Sequence, residues 1–193
     1  MSETDMLKTA IKSMGDISEK MQDEIVQMFN THIIQKNDFL LRKHQKARYV
    51  AWIVEGSFRE FFIDKQGNEF NKAFCFAGDF TGSYYDLYTQ KPSLVSIQAL
   101  SDSKILIARI EDFLRFSHSS PEWMKFNLMI TRQLLLKKCE REHDLLTLSS
   151  SERYAKFITE HPEVDQLIQD YHLASFLGIT PISLSRIRKQ YRK

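Results

Sequence analysis

The stretch Asp170-Tyr171-His172-Leu173-Ala174-Ser175-Phe176-Leu177-Gly178-Ile179-Thr180-Pro181-Ile182-Ser183-Leu184-Ser185-Arg186-Ile187-Arg188-Lys189 carries the most specific pattern in this chain. Asp170 can cap a first helix whose inward residues are Leu173, Ala174 and Leu177. Ala174 is small enough for a second helix to cross closely. Gly178 supplies the left-handed position that ends the first helix, and Ile179 plugs the turn. Thr180 is then an N-cap, with Pro181 at the first helical position, where a missing N–H costs nothing. Leu184 and Ile187, with Tyr191 a turn later, form the buried side of the second helix. Its outward side carries Ser183, Ser185, Arg186, Lys189 and Gln190.

The spacing is that of a helix-turn-helix whose second helix can enter a major groove. Between Thr180 and Lys193 there are five basic residues (Arg186, Arg188, Lys189, Arg192, Lys193) and no acid. A basic face on an ordered helix points to a polyanion, here double-stranded DNA. The planar fork of Arg186 can bond guanine O6 and N7 together. Thr180, Ser183 and the helix N-terminus suit phosphate oxygens. Arg188, Arg192 and Lys193 would add affinity through counterion release without reading sequence. A helical hairpin that merely packs is the alternative, and the acid-free second helix speaks against it.

Upstream, residues 6–30 read as helical, with Ile17, Met21, Ile25 and Met28 recurring at helical spacing and Ser18 placed as an N-cap. From about Ile33 to Ile110 the pattern becomes short β-branched and aromatic runs: Tyr49–Val54, Ser57–Ile63, Glu69–Phe76, Ser93–Leu100 and Lys104–Ile110. Glu55-Gly56, Asp64 to Gly67, Ala77-Gly78-Asp79 and Ser101-Asp102 break them. Short strands at such spacing predict an all-β sandwich or barrel. After Pro121, the residues Trp123, Phe126, Ile130, Leu134, Leu145 and Leu148 share a helical stripe, interrupted by polar residues 137–144. No Gly or Pro lies between Glu122 and His161, so one long helix is allowed. It is either a dimerising helix or a plain core helix. Ser149 to Glu152 is a capping start for a short helix through Tyr154, Phe157 and Ile158, ended by His161-Pro162.

The chain has 193 residues, 42% of them hydrophobic, with 14 Phe, 7 Tyr and 2 Trp. That many aromatics excludes disorder as the main state. The longest apolar runs, such as Ile105–Ala108 and Leu134–Leu136, fall far short of the ~20 residues that span a bilayer, so no membrane partner is expected. Met1 to Asp5 begins no secretory signal, and Cys75 and Cys139 form neither a disulfide framework nor a metal knuckle, which predicts a cytoplasmic protein.

The segment His172 to Arg188 resembles that of the cyclic-AMP receptor/FNR (Crp/Fnr) family of bacterial transcription regulators, and most nearly the short versions common in Bacteroidetes. Val54-Glu55-Gly56-Ser57-Phe58-Arg59 is similar to the family's strand-Gly-strand turn. Phe76-Ala77-Gly78-Asp79-Phe80-Thr81-Gly82 is similar to its N-x-G-D-x-x-G segment. The resemblance runs from about Ile17 to Lys193. It implies an α+β chain with three parts. Residues 1–118 would be a sensor domain, an N-terminal double-stranded β-helix (jelly-roll) of the cyclic-nucleotide-binding type. Residues 119–148 would be the dimerisation helix, and residues 149–193 the C-terminal helix-turn-helix domain. The implied function is that of a homodimeric regulator on palindromic promoter DNA, with RNA polymerase a possible partner. The family's base-contacting positions fall on Pro181, Ile182 and Arg186, and only Arg186 keeps the chemistry, so the target sequence does not carry over. The chain ends at Lys193, so no β-hairpin wing is expected.

In the sensor half the family's ribose-binding Glu after Gly82 is Ser83, and its phosphate-binding Arg-Ser pair falls on Ser93-Leu94. Without the arginine a buried phosphate would be a poorly paired anion, so tight cyclic-AMP binding is not expected and any effector is another small molecule. Phe74, Phe76, Tyr84 and Tyr85 either line an apolar effector pocket with Gly82, Ser83, Ser93 and Leu94, or simply fill the roll. No cofactor is expected, since the cysteine cluster of an iron–sulfur sensor is absent. The β region holds one histidine, His44, which argues against a cupin metal site, and no G-x-S-x-G elbow marks a hydrolase. No catalytic residue is assigned; Asp79 and Asp86 read as solvated turn and strand-edge carboxylates. Two further readings stay open: a dimeric effector-sensing module with weak or no DNA binding, and a constitutive DNA binder in which the roll is only a scaffold.

Overall fold

The computed structural model describes residues 1–117, 120–162 and 167–191. The predicted N-terminal helical stretch is two helices, α1 (Glu3–Met14) and α2 (Glu19–Gln27). Ser2 and Asp5 form a capping box on α1, and the Ser18 hydroxyl accepts from Met21 N at 3.3 Å to start α2. The break falls at Gly15, between those two caps.

The five predicted strands are present: β3 (Tyr49–Glu55), β4 (Ser57–Ile63), β5 (Glu69–Phe76), β7 (Ser96–Ala99) and β8 (Ser103–Arg109). Three short strands join them, β1 (Asn30–Ile34), β2 (Phe39–Leu41) and β6 (Phe80–Thr81). They form two antiparallel four-stranded sheets, ordered β1-β8-β3-β6 and β2-β7-β4-β5. Ile53, Phe58, Ile97, Ile105 and Leu106 are fully buried in the core that the sheets and helices build. This is the expected jelly-roll.

A short helix, α3 (Tyr84–Thr89), interrupts the roll; α4 (Ile110–Ser117) and the long α5 (Pro121–Thr147) close it. Ser120 caps α5, and Pro121 sits at its start. The first half of α5 packs on the roll through Trp123, Phe126 and Ile130, and the Phe113, Trp123 and Phe126 rings meet at 5.6–6.1 Å. Leu134 packs against the same core, while Leu145 is 43% exposed. The opposite face leaves Met124, Leu128 and Leu135 exposed.

A second core lies beyond α5. It comprises Tyr154 and Phe157 of α6 (Ser150–Glu160), Leu173, Ala174 and Leu177 of α7 (Asp170–Leu177), Leu184 and Ile187 of α8 (Pro181–Tyr191), and Ile168. Phe74, Phe76 and Leu100 of the roll pack against it. Ser149 and Glu152 form the expected capping box on α6. Asp170 is the first residue of α7 rather than its cap, which is Gln169.

Candidate functional site

The α7–α8 connection follows from its residues. Gly178 has φ 68° and ψ 34°, the left-handed conformation a Cβ disfavours. That bend lets Gly178 N–H donate to Ser175 O at 3.2 Å and Ile179 N–H to Ala174 O at 3.0 Å, the two bonds of a Schellman ending. Phe176 O and Leu177 O accept instead from the guanidiniums of Arg141 and Arg153. The Thr180 hydroxyl accepts from Ser183 N at 3.2 Å, which caps α8 as its sequence implies.

On α8, Leu184 and Ile187 are buried, and Pro181, Ile182, Ser185, Arg186 and Lys189 face outward. Ser183 is half-buried with its hydroxyl 3.0 Å from that of Thr180. Arg188 departs from the expected set of free cations. Its Nη1 lies 2.5 Å from Asp170 Oδ1 and its side chain is 15% exposed, so it ties the end of α8 to the start of α7. Tyr191 is exposed, its ring edge-on to Tyr154 at 5.5 Å. Arg192 and Lys193 lie outside the described residues.

In the roll, the structure brings only part of the expected pocket together. Asp86 is buried, not solvated. It accepts from Ser83 Oγ at 2.5 Å and from Ala47 N at 3.0 Å. Ser93 Oγ lies 3.1 Å from Ser83 Oγ, and Val95 N donates to it at 3.2 Å. The two serines that stand where the resemblance places ribose- and phosphate-binding groups are thus linked to an internal carboxylate. A phosphate entering here would meet Asp86 instead of an arginine. Gly82 precedes this network. Tyr84 points into the roll, its hydroxyl buried without a hydrogen-bond partner among the described residues, and burial pushes its pKa up. Tyr85 and Leu94 are 39% and 46% exposed.

Phe74 and Phe76 do not belong to that pocket. Strand alternation puts them on the face of β5 opposite Cys75, which packs into the roll. Phe74 meets Phe157 and Phe176 at 6.0 and 5.1 Å, and Phe76 meets His161 at 4.9 Å. Their apolar surface seats the C-terminal helices. Asp79, also expected to be solvated, pairs with Lys137 of α5 at 2.6 Å.

A polar seam that local pattern does not announce joins the roll to α7. Arg59, 4% exposed, reaches Glu69 Oε2 at 2.5 Å, Gln98 Oε1 at 2.7 Å and His172 Nδ1 at 3.0 Å, and stacks 3.7 Å over the Phe61 ring. Asn71 Nδ2 donates to His172 O at 3.2 Å. The Ser175 hydroxyl accepts from Asn71 N at 3.0 Å and donates to Glu69 O at 3.1 Å. Edge strand β5 is thereby covered by α7.

His172 Nδ1 accepts from Arg59, so the ring is held neutral; burial and then the Arg59 charge push its pKa down to about 4. The unfolded chain, with a histidine pKa of about 6.5, takes up the proton first as pH falls. The stabilisation is therefore complete above about pH 6.5 and is lost as pH falls through about 4. His172→Gln, which keeps an acceptor, is expected to flatten this part of the melting-temperature profile between pH 7 and 4. An unchanged profile would remove His172 as its source.

The roll is similar in sequence and in fold to known domains. Residues 31–120 match the family model of the cyclic nucleotide-binding domain. No curated protein matches the chain. Among solved structures, FixK2 from Bradyrhizobium japonicum superposes with TM-score 0.75 at 17% identity, covering 85% of this chain and 84% of that one. The c-di-GMP responsive global regulator CLP of Xanthomonas campestris gives 0.70 at 15%, covering 91% and 92%. A protein described as a transcriptional regulator of the crp/fnr family from Eubacterium rectale gives 0.73 at 16%, covering 92% and 84%. At such identities the likeness concerns the fold alone: a jelly-roll followed by a long helix and a C-terminal group of helices.

Among the described residues no helix is long and apolar enough to cross a membrane. Nor does any group of His, Cys, Asp and Glu among them have the arrangement of a metal site.

Proposed function

We propose that the chain is a homodimeric, cytoplasmic transcription regulator of Crp/Fnr type that binds palindromic DNA through α8. In this reading residues 1–118 are the sensor, 119–148 the dimer helix and 149–193 the helix-turn-helix domain, with RNA polymerase as a possible further partner. The observation that carries the reading is the outward face of α8. Pro181, Ile182, Ser185, Arg186 and Lys189 stand exposed on a helix whose Leu184 and Ile187 are buried, and no acid accompanies them. The match of residues 31–120 and the likeness to Crp/Fnr regulators support it.

The site-bearing helix is anchored through α7 to the roll by the Arg59–His172 seam, so a change in the roll can reach α8 through packed groups. The Asp86–Ser83–Ser93 network argues for an effector other than cyclic AMP.

Selecting bound duplexes from a random pool, at a stated salt concentration, tests the reading. An enriched palindrome with half-sites about one helical turn apart is expected. Absence of binding at low salt would leave a dimeric regulatory module without DNA affinity, a reading favoured by the tie of Arg188 to Asp170, which withdraws one expected cation. On the selected site, Arg186→Ala is expected to cost roughly 1–3 kcal/mol of discrimination against random duplex, with non-specific binding little changed. An unaltered specificity ratio, read by competition binding, would show that Arg186 reads no base.

A further inference from the structure

Where the roll, the long helix and the C-terminal helices meet there is a cleft of about 90 Å³, bordered by β5, α5, α6 and α7. One wall is aromatic: Phe74, Phe157 and Phe176, with ring centroids 5.1–6.0 Å apart. Another carries the guanidiniums of Arg141 and Arg153. Arg141 lies 4.0 Å over the Phe176 ring and donates to Phe176 O. Arg153 donates to Leu177 O at 3.0 Å and to Leu148 O at 2.5 Å.

These partners are neutral carbonyl oxygens. Each guanidinium has N–H donors to spare. Among the described residues neither makes a salt bridge. Asp144, the carboxylate that acts on Arg141, is taken by Lys156 at 2.6 Å and by His143 at 3.3 Å. Glu160, also at the cleft, stands 3.9 Å from Lys156. Burial, and then the like charge of Arg153, lower the Arg141 pKa to about 10, which is unusual for a guanidinium. Two half-buried guanidiniums side by side, neither of them in a salt bridge with the cleft carboxylates Asp144 and Glu160, are a standing electrostatic cost. Capping the carbonyls at the end of α7 could be done by one neutral donor each and does not explain it.

We propose that this cleft binds a small anion with an apolar body, a carboxylate or phosphoester group lying on Arg141 and Arg153 and a ring or short chain lying on Phe74, Phe157 and Phe176. Planar guanidiniums are suited to either oxyanion, and the aromatic wall offers apolar surface to the rest of the molecule. The bound anion would bridge β5 to α6 and α7 and so fix the helices on the roll. The site is separate from the Ser83–Asp86–Ser93 network, and it stands whether or not α8 touches DNA.

The test is calorimetric titration and thermal unfolding of the full chain with benzoate, phenyl phosphate and inorganic phosphate. Saturable binding of benzoate or phenyl phosphate is expected, whichever of the two is tighter naming the anionic group, with inorganic phosphate about tenfold weaker than phenyl phosphate. Arg141→Gln is expected to weaken the tighter probe about tenfold or more while leaving the ligand-free melting temperature equal or raised, because it removes a like-charge pair. Phe74→Leu keeps both guanidiniums and is expected to weaken the aromatic probes several-fold with inorganic phosphate unchanged. If Arg141→Gln does not fold, Phe74→Leu decides alone, and unchanged affinity for the aromatic probes overturns the proposal. So does the absence of saturable binding of both aromatic probes. A lowered melting temperature of Arg141→Gln with unaltered affinity also overturns it, because Arg141 is then a helix cap and nothing more.

Discussion

Gly56→Ala is expected to lower the unfolding free energy by roughly 3–5 kcal/mol, adding backbone strain to a steric clash. Gly56 turns β3 into β4 at φ 103°, where an L side chain is strained. A Cβ there would lie 2.0 Å from Ser103 Oγ, 2.6 Å from its Cβ and 2.8 Å from its Cα. The Oγ could rotate away, but the Cα cannot. Ser103 opens β8, which is paired to β1 through Ile34↔Ser103 and to β3 along most of its length. At about 2–4 °C per kcal/mol for a chain of this size, the melting temperature should fall by roughly 10 °C. Gly67→Ala supplies the comparison. Gly67 has φ 89°, but a Cβ there would have no neighbour within 4 Å, so only the backbone strain of about 1 kcal/mol should appear. Equal losses at the two positions, by thermal or urea unfolding, would mean that the Ser103 contact is relieved at no cost.

Gly56 is also a residue whose role the amino-acid sequence itself declares. Turn chemistry is local: Glu55-Gly56 between two β-branched and aromatic runs, or Gly178-Ile179-Thr180-Pro181 between two helical patterns, declares the bend and both flanking elements. Strands β3, β4, β5, β7 and β8 and the helices α5 to α8 were legible for that reason. Strands β1, β2 and β6 were not: β2 and β6 are three and two residues long, and β1 is exposed at four of its five residues, so none shows an inward alternation. For Phe74 and Phe76, period-two spacing shows that they share a face but not which side is the inside; both faces of β5 are covered, one by the roll and one by helices. Asp86 and the Arg59–His172 contact were illegible for a different reason. Arg59 and His172 are separated by 113 residues, and only the docking of α7 on an edge strand brings them to 3.0 Å. The outward face of α8 was readable because it needs no partner within the chain, whereas the aromatic cleft needs β5, α5, α6 and α7 in place.

The same distinction applies to α5. The polar run 137–144 obscures any heptad in the sequence, and the buried stripe of Trp123, Phe126 and Ile130 faces the roll. In the structure the other face carries Met124, Leu128 and Leu135, 61%, 66% and 58% exposed, with half-buried Thr131 between them at the 4-3-4 spacing of a helix seam. Thr131 Oγ1 is 3.3 Å from the hydroxyl of exposed Tyr88 on α3, so this face adjoins the roll. If two copies pair along it, a two-fold axis places each leucine against its own mate or a near neighbour. Leu128→Glu with Leu135→Glu would then bury four carboxylates in an apolar seam. The dimer dissociation constant is expected to rise roughly 1,000-fold, about 4 kcal/mol. Affinity for a palindromic duplex should fall by about two orders of magnitude or more, because each half-site then binds alone. Both side chains are solvent-exposed in the single chain, so the variant's far-UV spectrum should stay that of the wild type. Sedimentation velocity gives the assembly state directly. A variant that remains dimeric would place the interface elsewhere, and one that is monomeric yet binds the palindrome at full strength would separate DNA binding from pairing along α5.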